Sequence, residues 1–520
     1  MLYRLPPLGK SLGLLLLLLE VQLAVGQKPV AAQVKPPAIE KSQDICPANL
    51  PQAIESITNR PEFSYARWGI LIQTQSSQTI LYSHDSDRYF IPASNVKLLT
   101  TAAALHRLGA NFRIKTSIYG SILNTNTNLF PSPSPPSRLL PNQLTEKTIK
   151  LLRLVGRGDP SLSDDRLRDL AQQLKRQGIS RIQKLRVEEG YFSQPTINQT
   201  WEWGDISTDY GTSVNSLILN QNAALLTLSP QSLGQPLQIT WVDSIAEAQW
   251  KIENNTITSD TDSSAFVEIT GILGKPILQL RGELPVNGKP MTTAVAILNP
   301  SEYFLAHFQN ILATEGIQVE NASVSSNIYP QDEPELAAVE SPPLATLLVE
   351  TNQNSNNLYG EALLRTLASV TQTNKSELTA EAGIQQVKAT LTQLGVNPES
   401  YIQADGAGLS RRNLVTPTAL VQTLQAMAKT PEADIYRASL SVSGVNGTLS
   451  RRFRDTPAQG ILQGKTGTMT GISALSGYLD TPNYQPLVFS IILNQGNQPS
   501  VSLRQAIDEI VVLLTRLHSC

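Results

Sequence analysis

The chain has 520 residues, of which 16% are charged, and its formal net charge is −2. This length is enough for two or three domains with large cores, and the balanced charge gives no indication of binding to nucleic acid or to an anionic membrane surface. The histidines are scattered without the spacing of metal ligands, so we predict no metal site and no cofactor.

The first segment has the layout of a secretory signal. Arg4 and Lys10 precede an uninterrupted apolar run over residues 12–19, and small residues follow as far as Gly26. The apolar run is far shorter than the roughly 20 residues that span a bilayer. We therefore predict a signal peptide over residues 1–26, export to the periplasm or cell-wall compartment, and no transmembrane domain in the mature chain. A retained N-terminal anchor is the alternative.

A flexible spacer is predicted over residues 27–45, because this stretch is rich in Pro, Ala and Lys and has little to bury. Cys46 follows it, and the only other cysteine is Cys520. Two cysteines do not form a disulfide framework. In an exported protein their number leaves both possibilities open, two free thiols or one disulfide.

A hairpin and a helix come next. Residues 68–83 contain two β-type runs around a polar turn, which predicts the hairpin. The helix covers residues 90–109, FIPASNVKLLTTAAALHRLG, and carries Ser94 and Lys97 in its first turn. Side chains three residues apart lie on one face of a helix, and burial and the helix N-terminus both lower a lysine pKa. The pair is a candidate nucleophile and base, although so short a pattern also arises by chance in a buried helix.

Residues 107–335 differ in character from the segments around them. A Pro-, Ser- and Asn-rich loop is followed by short strand candidates such as IKLLRLVG and AALLTLSP. We predict a β-rich insertion with few long helices, divided into two subdomains. Helical and strand patterns return afterwards, and an amphipathic helix closes the sequence. Together these patterns predict one α/β domain, formed by residues 46–106 and 336–520 and interrupted by the insertion.

Two further motifs lie after the insertion. Ser355 and Asn357 precede a predicted helix, where such residues are ordinary caps, but they also place a hydroxyl and an amide at a cleft. The triplet Lys465–Thr466–Gly467 precedes an apolar strand. Lys and Thr side chains bind carboxylates, and glycine allows a substrate backbone to approach, whereas the alternative is a solvated turn. The order S-x-x-K, S-x-N, K-T-G is the motif set of penicillin-binding proteins and serine β-lactamases.

With these motifs the sequence resembles the D-alanyl-D-alanine carboxypeptidase/endopeptidase family, the class C low-molecular-mass penicillin-binding proteins. RYFIPASNVKLLTTAAAL, LVGRGDPSLS, WEWGDISTDYGTSVNSLILNQN, ADGAGLSRRNLVTPTAL and GVNGTLSRRF are similar to segments typical of that family. The long separation of Ser94 from Ser355 is also typical, because this family carries a large insertion there. One departure is Ala407, where a serine is usual. The resemblance covers residues 46–520 and implies an α+β sandwich of the serine β-lactamase/DD-peptidase type.

The resemblance also implies roles for the motif residues. Ser94 is expected to be the nucleophile that attacks the D-alanyl-D-alanine peptide bond of peptidoglycan stem peptides, and Lys97 its base. Ser355 is expected to pass a proton to the departing D-alanine, and Asn357 to hold the substrate amide. Lys465, Thr466 and Thr468 are expected to bind the terminal carboxylate beside Gly467. The backbone N–H groups of Ser94 and Thr468 would form the oxyanion hole.

The family fold also gives the cysteines a role. Its first and last helices pack antiparallel, so the resemblance implies a disulfide between Cys46 and Cys520. The expected function is an exported serine peptidase that trims or un-cross-links stem peptides and is acylated by β-lactams. Two alternatives stay open, a serine β-lactamase or esterase of the same fold and a non-catalytic protein that binds the cell wall.

Overall fold

The computed structural model describes residues 44–123, 147–327, 329–330, 332–371 and 378–520. The predicted signal peptide and nearly all of the predicted spacer lie outside these residues. Within them, no helix combines the length and the apolar character needed to cross a membrane.

The described residues form both strands and α-helices. The strands are β1 (Arg67–Thr74), β2 (Ile80–His84), β3 (Lys115–Leu123), β4 (Lys147–Val155), β5 (Ile179–Glu188), β6 (Ala223–Ser229), β7 (Gln238–Trp241), β8 (Lys251–Ser259), β9 (Phe266–Gly271), β10 (Ile277–Pro285), β11 (Met291–Ala296), β12 (Gln318–Ser325), β13 (Glu335–Glu340), β14 (Tyr401–Ile402), β15 (Leu414–Val415), β16 (Ser441–Val442), β17 (Leu462–Met469), β18 (Ile472–Leu479) and β19 (Leu487–Asn494). The α-helices are α1 (Leu50–Thr58), α2 (Lys97–Leu108), α3 (Asp164–Arg176), α4 (Ser244–Glu247), α5 (Pro300–Thr314), α6 (Leu344–Asn352), α7 (Asn357–Thr371), α8 (Thr379–Gln393), α9 (Pro417–Met427), α10 (Ala433–Ala438) and α11 (Ser500–Leu514).

A six-stranded antiparallel sheet, in the order β16-β17-β18-β19-β1-β2, has a hydrophobic core on each face. Successive side chains of a strand point to opposite faces, and β1 follows this rule. Ile70 and Ile72 join the core formed with α1 and α11, whereas Leu71 joins the core formed with α2, α7, α8 and α9. The hairpin predicted over residues 68–83 is β1 and β2, and it is confirmed.

A second sheet, β12-β5-β4-β3-β13, belongs to the same compact unit of the chain. Strands β4 and β5 pair in parallel, with α3 between them in sequence, and β5 pairs in parallel with β12. Parallel neighbours need a crossover connection, which α3 provides for the first pair. This compact unit comprises residues 41–201, 214–221 and 300–520.

A smaller compact unit contains residues 202–213 and 222–299. It has two three-stranded sheets, β11-β6-β7 and β8-β10-β9. Its own hydrophobic core includes Leu226, Leu228, Leu278 and Leu280, all of which are fully buried.

A disulfide joins Cys46 to Cys520, and their Cα atoms are 5.8 Å apart. This Cα separation is typical of disulfides. Cys46 lies just before α1 and Cys520 just after α11, and these two helices pack against the same face of the six-stranded sheet. The bond therefore connects the first and the last helix of the described chain.

Candidate active site

Ser94 lies in a single 3₁₀ turn, Ala93–Val96, that leads directly into α2. The sequence placed Ser94 in the first turn of the helix itself, and this placement is wrong by one turn. Ala93 has a φ of +48°, which a regular α-helix does not allow, so the helix cannot begin at residue 90 as the sequence predicted. Gly408 packs against this turn so closely that a Cβ there would lie 2.1 Å from the Ala93 carbonyl oxygen.

Lys97 is the first residue of α2, and its side chain is fully buried. Its Nζ lies 3.0 Å from Ser94 Oγ. Burial lowers the pKa of Lys97 to about 7, against the opposing effect of the Asp405 and Glu361 carboxylates, which raise it. Near neutral pH a large fraction of Lys97 is therefore the uncharged amine.

Two oxygen atoms receive hydrogen bonds from Lys97 Nζ besides its contact with Ser94. They are Asn357 Oδ1 at 2.7 Å and the Ala407 carbonyl at 2.5 Å. Both oxygens only accept hydrogen bonds, and a neutral amine has two N–H donors and one lone pair. With its two N–H groups engaged by Asn357 and Ala407, the lone pair of the neutral amine points to the third neighbour, Ser94 Oγ. The arrangement suits removal of the Ser94 proton.

Ser355 lies between α6 and α7 in a left-handed backbone conformation, with a φ of +58°. Its Oγ accepts a hydrogen bond from Lys465 Nζ at 2.8 Å. Lys465 is fully buried, and burial together with the positive charge of Lys97 holds its pKa well below the usual range for lysine. A hydroxyl that contacts such a lysine can accept a proton from it or relay one to a leaving group.

Strand β17 brings Lys465, Thr466, Gly467 and Thr468 alongside the Ser94 turn. A Cβ on Gly467 would lie 2.5 Å from the Pro92 carbonyl oxygen, so this close approach requires glycine. Thr466 Oγ1 donates a hydrogen bond to Thr448 Oγ1 at 2.8 Å, and Thr468 is exposed. The predicted residues of all three motifs are therefore brought together by the Ser94 turn and the start of α2, by the segment that leads into α7, and by β17.

Several residues that hold the site were not predicted. Asp405 is fully buried, and its Oδ1 accepts from the N–H groups of Ala407 at 3.2 Å and Gly408 at 2.6 Å. Glu361 accepts from Gly406 N–H at 2.5 Å. In the sequence, the segment DGAG, residues 405–408, indicated only the family resemblance. Its combination of glycines with an aspartate is the signal that could have predicted a fixed loop. The departure at Ala407 has no effect on this contact, because Ala407 contributes its carbonyl oxygen.

One cluster of metal-ligand side chains occurs among the described residues, and it consists of Cys46, His518 and Cys520, with their donor atoms within 4.8 Å of one another. The two sulfur atoms are bonded to each other in the disulfide. Metal ions bind cysteine as the thiolate, which neither sulfur of a disulfide can provide, so the imidazole of His518 is the one good ligand left in this cluster, and one ligand does not make a site.

The fold and the paired serine and lysine residues define a serine acyl-transfer enzyme of the penicillin-binding type. The family model described as the D-Ala-D-Ala carboxypeptidase 3 (S13) family matches residues 50–129 and 142–517, and the chain belongs to that family. It is a serine-type peptidase. The predictions of family, enzyme class and fold class are confirmed.

Similar proteins agree with this assignment along most of the chain. A D-alanyl-D-alanine carboxypeptidase of Actinomadura sp. (strain R39) is 29% identical over 479 residues, which cover 89% of this chain and 84% of that protein. A penicillin-sensitive carboxypeptidase A of Dictyostelium discoideum is 28% identical and covers 86% of this chain and 87% of that protein. The crystal structure of penicillin binding protein 4 from Haemophilus influenzae has the same fold, with a TM-score of 0.73, 22% identity, and coverage of 89% of this chain and 98% of that one.

Proposed function

We propose that the chain is an exported D-Ala-D-Ala carboxypeptidase, D,D-endopeptidase or both, which acts on peptidoglycan stem peptides through an acyl-enzyme at Ser94. The observation that carries the proposal is the set of three contacts around Lys97 Nζ, which leaves a neutral amine ready to take the Ser94 proton. The relatives support the substrate class, since they are named as D-alanyl-D-alanine and penicillin-sensitive carboxypeptidases.

In the acylation step, Lys97 removes the Ser94 hydroxyl proton as Ser94 Oγ attacks the carbonyl carbon of the penultimate D-alanine. An ester bond forms and the peptide C–N bond breaks. The proton that Lys97 removed passes by way of Ser355 to the leaving D-alanine amine, so Lys97 is neutral again before deacylation. Ser355 is held 2.8 Å from Lys465 Nζ. The backbone N–H groups of Ser94 and Thr468 stabilise the oxyanion, a contribution generally worth about 2.7–4 kcal/mol for each donor.

In the deacylation step, a water molecule attacks the ester and Lys97 takes the proton of that water. The ester C–O bond breaks, Ser94 recovers its hydroxyl proton, and the shortened peptide leaves with a new carboxylate. Asn357 contacts the substrate amide and also fixes Lys97. Lys465, Thr466 and Thr468 bind the terminal carboxylate beside Gly467. No cofactor enters any of these steps.

The reaction is tested with purified muropeptides, monomeric and cross-linked, followed by mass analysis of the products. Loss of one terminal alanine reports carboxypeptidase activity, and splitting of dimers reports endopeptidase activity. We expect the wild-type protein to perform at least one of these reactions and to be labelled covalently by penicillin. A solved structure of penicillin binding protein 4 from Haemophilus influenzae is a complex with a β-lactam. Ser94→Ala should lose both properties, whereas Ser56→Ala, at an exposed position on α1, should keep both.

The alternatives give different results in the same assays. Rapid turnover of a chromogenic cephalosporin without cleavage of muropeptides identifies a β-lactamase. Binding of peptidoglycan with neither cleavage nor penicillin labelling identifies a non-catalytic wall-binding protein. Unchanged labelling of Ser94→Ala contradicts the assignment of the nucleophile.

We propose the same domain organisation and location as the sequence predicts. The catalytic domain is formed by residues 46–106 and 336–520. The insertion, residues 107–335, then comprises one subdomain around the sheet that contains β4 and β5 and another around the core of Leu226 and Leu278, which supports a division in two. Export to the periplasm is tested by fractionation and by the mass of the mature N-terminus, which should begin at residue 27.

A further inference from the structure

Glu361 is a fully buried carboxylate to which the proposed reaction assigns no role. It lies on α7, four residues after Asn357, so both side chains are on the same face of the helix. Removing a carboxylate from water costs several kcal/mol unless hydrogen bonds and opposite charges compensate. The contacts of Glu361 therefore indicate what this carboxylate does.

The first contact is with the backbone of the loop that holds Lys97. Glu361 Oε1 accepts a hydrogen bond from Gly406 N–H at 2.5 Å. The next residue, Ala407, provides the carbonyl oxygen that accepts from Lys97 Nζ at 2.5 Å. Thr100 Oγ1 donates to the Gly406 carbonyl at 3.1 Å, so this loop is held on both sides immediately before the carbonyl that contacts Lys97.

Helix α7 and this loop approach each other with glycine on both sides. A Cβ on Gly406 would lie 2.5 Å from the Gly360 carbonyl oxygen, and a Cβ on Gly360 would lie 2.9 Å from the Gly406 carbonyl oxygen. The two backbones are therefore in direct contact. This contact is what brings the short side chain of Glu361 within reach of Gly406 N–H.

Glu361 also lies among charged groups on three elements. On its own helix, Arg365 Nε is 4.0 Å from Glu361 Oε2. The carboxylate of Asp405 in the loop and the amine of Lys97 on α2 also act electrostatically on Glu361. The positive charge of Lys97 in turn lowers the pKa of Lys465 on β17. Within the described residues Glu361 Oε2 has no hydrogen-bond donor. The pKa of Glu361 is raised to about 7, mainly by burial and also by Asp405, against the lowering effects of Arg365, the Gly406 hydrogen bond and Lys97.

We propose that Glu361 is a positioning residue for the acylation of Ser94: Oε1 holds the Gly406–Ala407 backbone so that the Ala407 carbonyl binds one N–H of Lys97. This inference rests on the proposed function. Glu361 touches neither Ser94 nor a reacting atom, so it acts through Lys97. The charge of Glu361 is a separate influence that raises the pKa of Lys97, and two substitutions separate it from the position of the loop.

The experiment measures the rate of acylation by a fluorescent penicillin as a function of pH, normalised to the folded protein. Glu361→Gln keeps an oxygen that can accept from Gly406 N–H but removes the charge. Glu361→Asp keeps the charge but is one methylene too short to reach Gly406 N–H. Glu381→Gln, at an exposed position on α8, is the matched control and should behave as the wild type.

For Glu361→Gln we expect the acidic limb of the rate profile to move to lower pH by about half a unit or more, because Lys97 loses a neighbour that favours its protonation. For Glu361→Asp we expect the acidic limb to stay where it is in the wild type. The maximal rate should fall to about one tenth of the wild-type rate or below, because Lys97 is no longer held in place. The inference is overturned if both variants keep the wild-type acidic limb and the wild-type maximal rate. It is also overturned if both variants lose rate equally and the acidic limb of Glu361→Gln does not move.

Hydrogen exchange of the wild-type protein gives a second test that does not depend on the folding of a variant. The Gly406 amide should exchange far more slowly than exposed loop amides, and fast exchange there overturns the inference. Failure of the proposed function gives a different result, since the wild-type protein would then not be acylated at any pH.

Discussion

Lys97 and Asn357 are 260 residues apart in the chain, yet Lys97 Nζ donates a hydrogen bond to Asn357 Oδ1 at 2.7 Å. The contact joins the first motif to the second across the whole insertion. Under the proposed function Asn357 would have two tasks, because it holds the lysine base and is also proposed to contact the substrate amide. Substitution of Asn357 should therefore affect both the base and substrate binding.

Replacing Lys97 by methionine should stabilise the protein while abolishing acylation. The pKa of buried Lys97 is about 7, well below that of a lysine in the unfolded chain, so the unfolded state binds more protons between pH 7 and about 10.4. The wild-type protein therefore gains stability as pH rises through this range, by up to about 1.4 kcal/mol per pH unit. The stability advantage of Lys97→Met should be largest below pH 7 and should shrink towards pH 10, as measured by urea unfolding. An advantage that does not depend on pH would contradict the low pKa.

Replacing Ser355 by alanine should slow acylation by roughly 10²-fold, in the usual range for loss of a proton-transfer group. The substitution removes the hydroxyl that accepts from Lys465 Nζ and leaves that lysine with the Thr466 carbonyl at 3.0 Å. Stopped-flow measurement of penicillin acylation gives the rate constant. The control is Ser64→Ala, at an exposed position beside β1, and a rate for Ser355→Ala equal to that of the control would exclude the proton relay.

Replacing Gly467 by alanine should reduce activity by about 10²-fold or more, because the new Cβ would lie 2.5 Å from the Pro92 carbonyl oxygen and 3.2 Å from Ala93 Cβ. Strand β17 must then move away from the Ser94 turn. Gly204→Ala is the control, since a Cβ there has nothing within 4 Å. Penicillin labelling and the melting temperature are measured for both variants. Full labelling of Gly467→Ala would show that the turn and the strand need not be so close.

Binding of a carboxylate ligand should be accompanied by proton uptake. Burial and Lys97 hold the pKa of Lys465 well below its usual range. A ligand carboxylate beside Lys465 favours the ammonium form and raises its pKa. Calorimetry of the Ser94→Ala variant with a D-Ala-D-Ala peptide, in two buffers of different ionisation enthalpy, measures the number of protons taken up. Zero uptake near neutral pH would contradict the assignment of Lys465 to the carboxylate.

Removing the disulfide with Cys46→Ala and Cys520→Ala together should lower the free energy of unfolding by about 2–4 kcal/mol. The bond closes a loop with a sequence separation of 474, so its loss frees the unfolded chain. The acylation rate of the folded double variant should equal that of the wild type, because the disulfide contacts no motif residue. A changed rate at equal folded fraction would show that α1 and α11 influence the site.

The sequence predicted those parts of the site that are marked by local patterns. Ser94 and Lys97 are three residues apart, and Lys465 to Gly467 are contiguous, so each motif is visible without knowledge of the fold. The fixed loop around Ala407 was not predicted, because its contact with Lys97 uses a backbone carbonyl that any side chain would leave in place. Glu361 was not predicted either, since its partner Gly406 is 45 residues away in the chain.

The fold shows the same division between local and long-range information. The hairpin of β1 and β2 follows from two β-type runs around a polar turn. The parallel pairing of β4 with β5 does not, because strand candidates in a β-rich region give no sign of their direction, and α3 between them had not been identified as the crossover. Whether two strands pair in parallel is decided by which of their side chains become buried, and that burial depends on the completed sheet.

The disulfide also decides how a mechanical load enters the protein. A pull on the segment before Cys46 passes through the covalent bond to Cys520 and to α11, which packs beside α1 on the far side of the six-stranded sheet from α2. The force is thus shared by two helices and does not peel α1 away alone. An enzyme tethered through that segment to a moving or growing cell wall would take up the load on the face of the sheet opposite α2, the helix that carries Lys97.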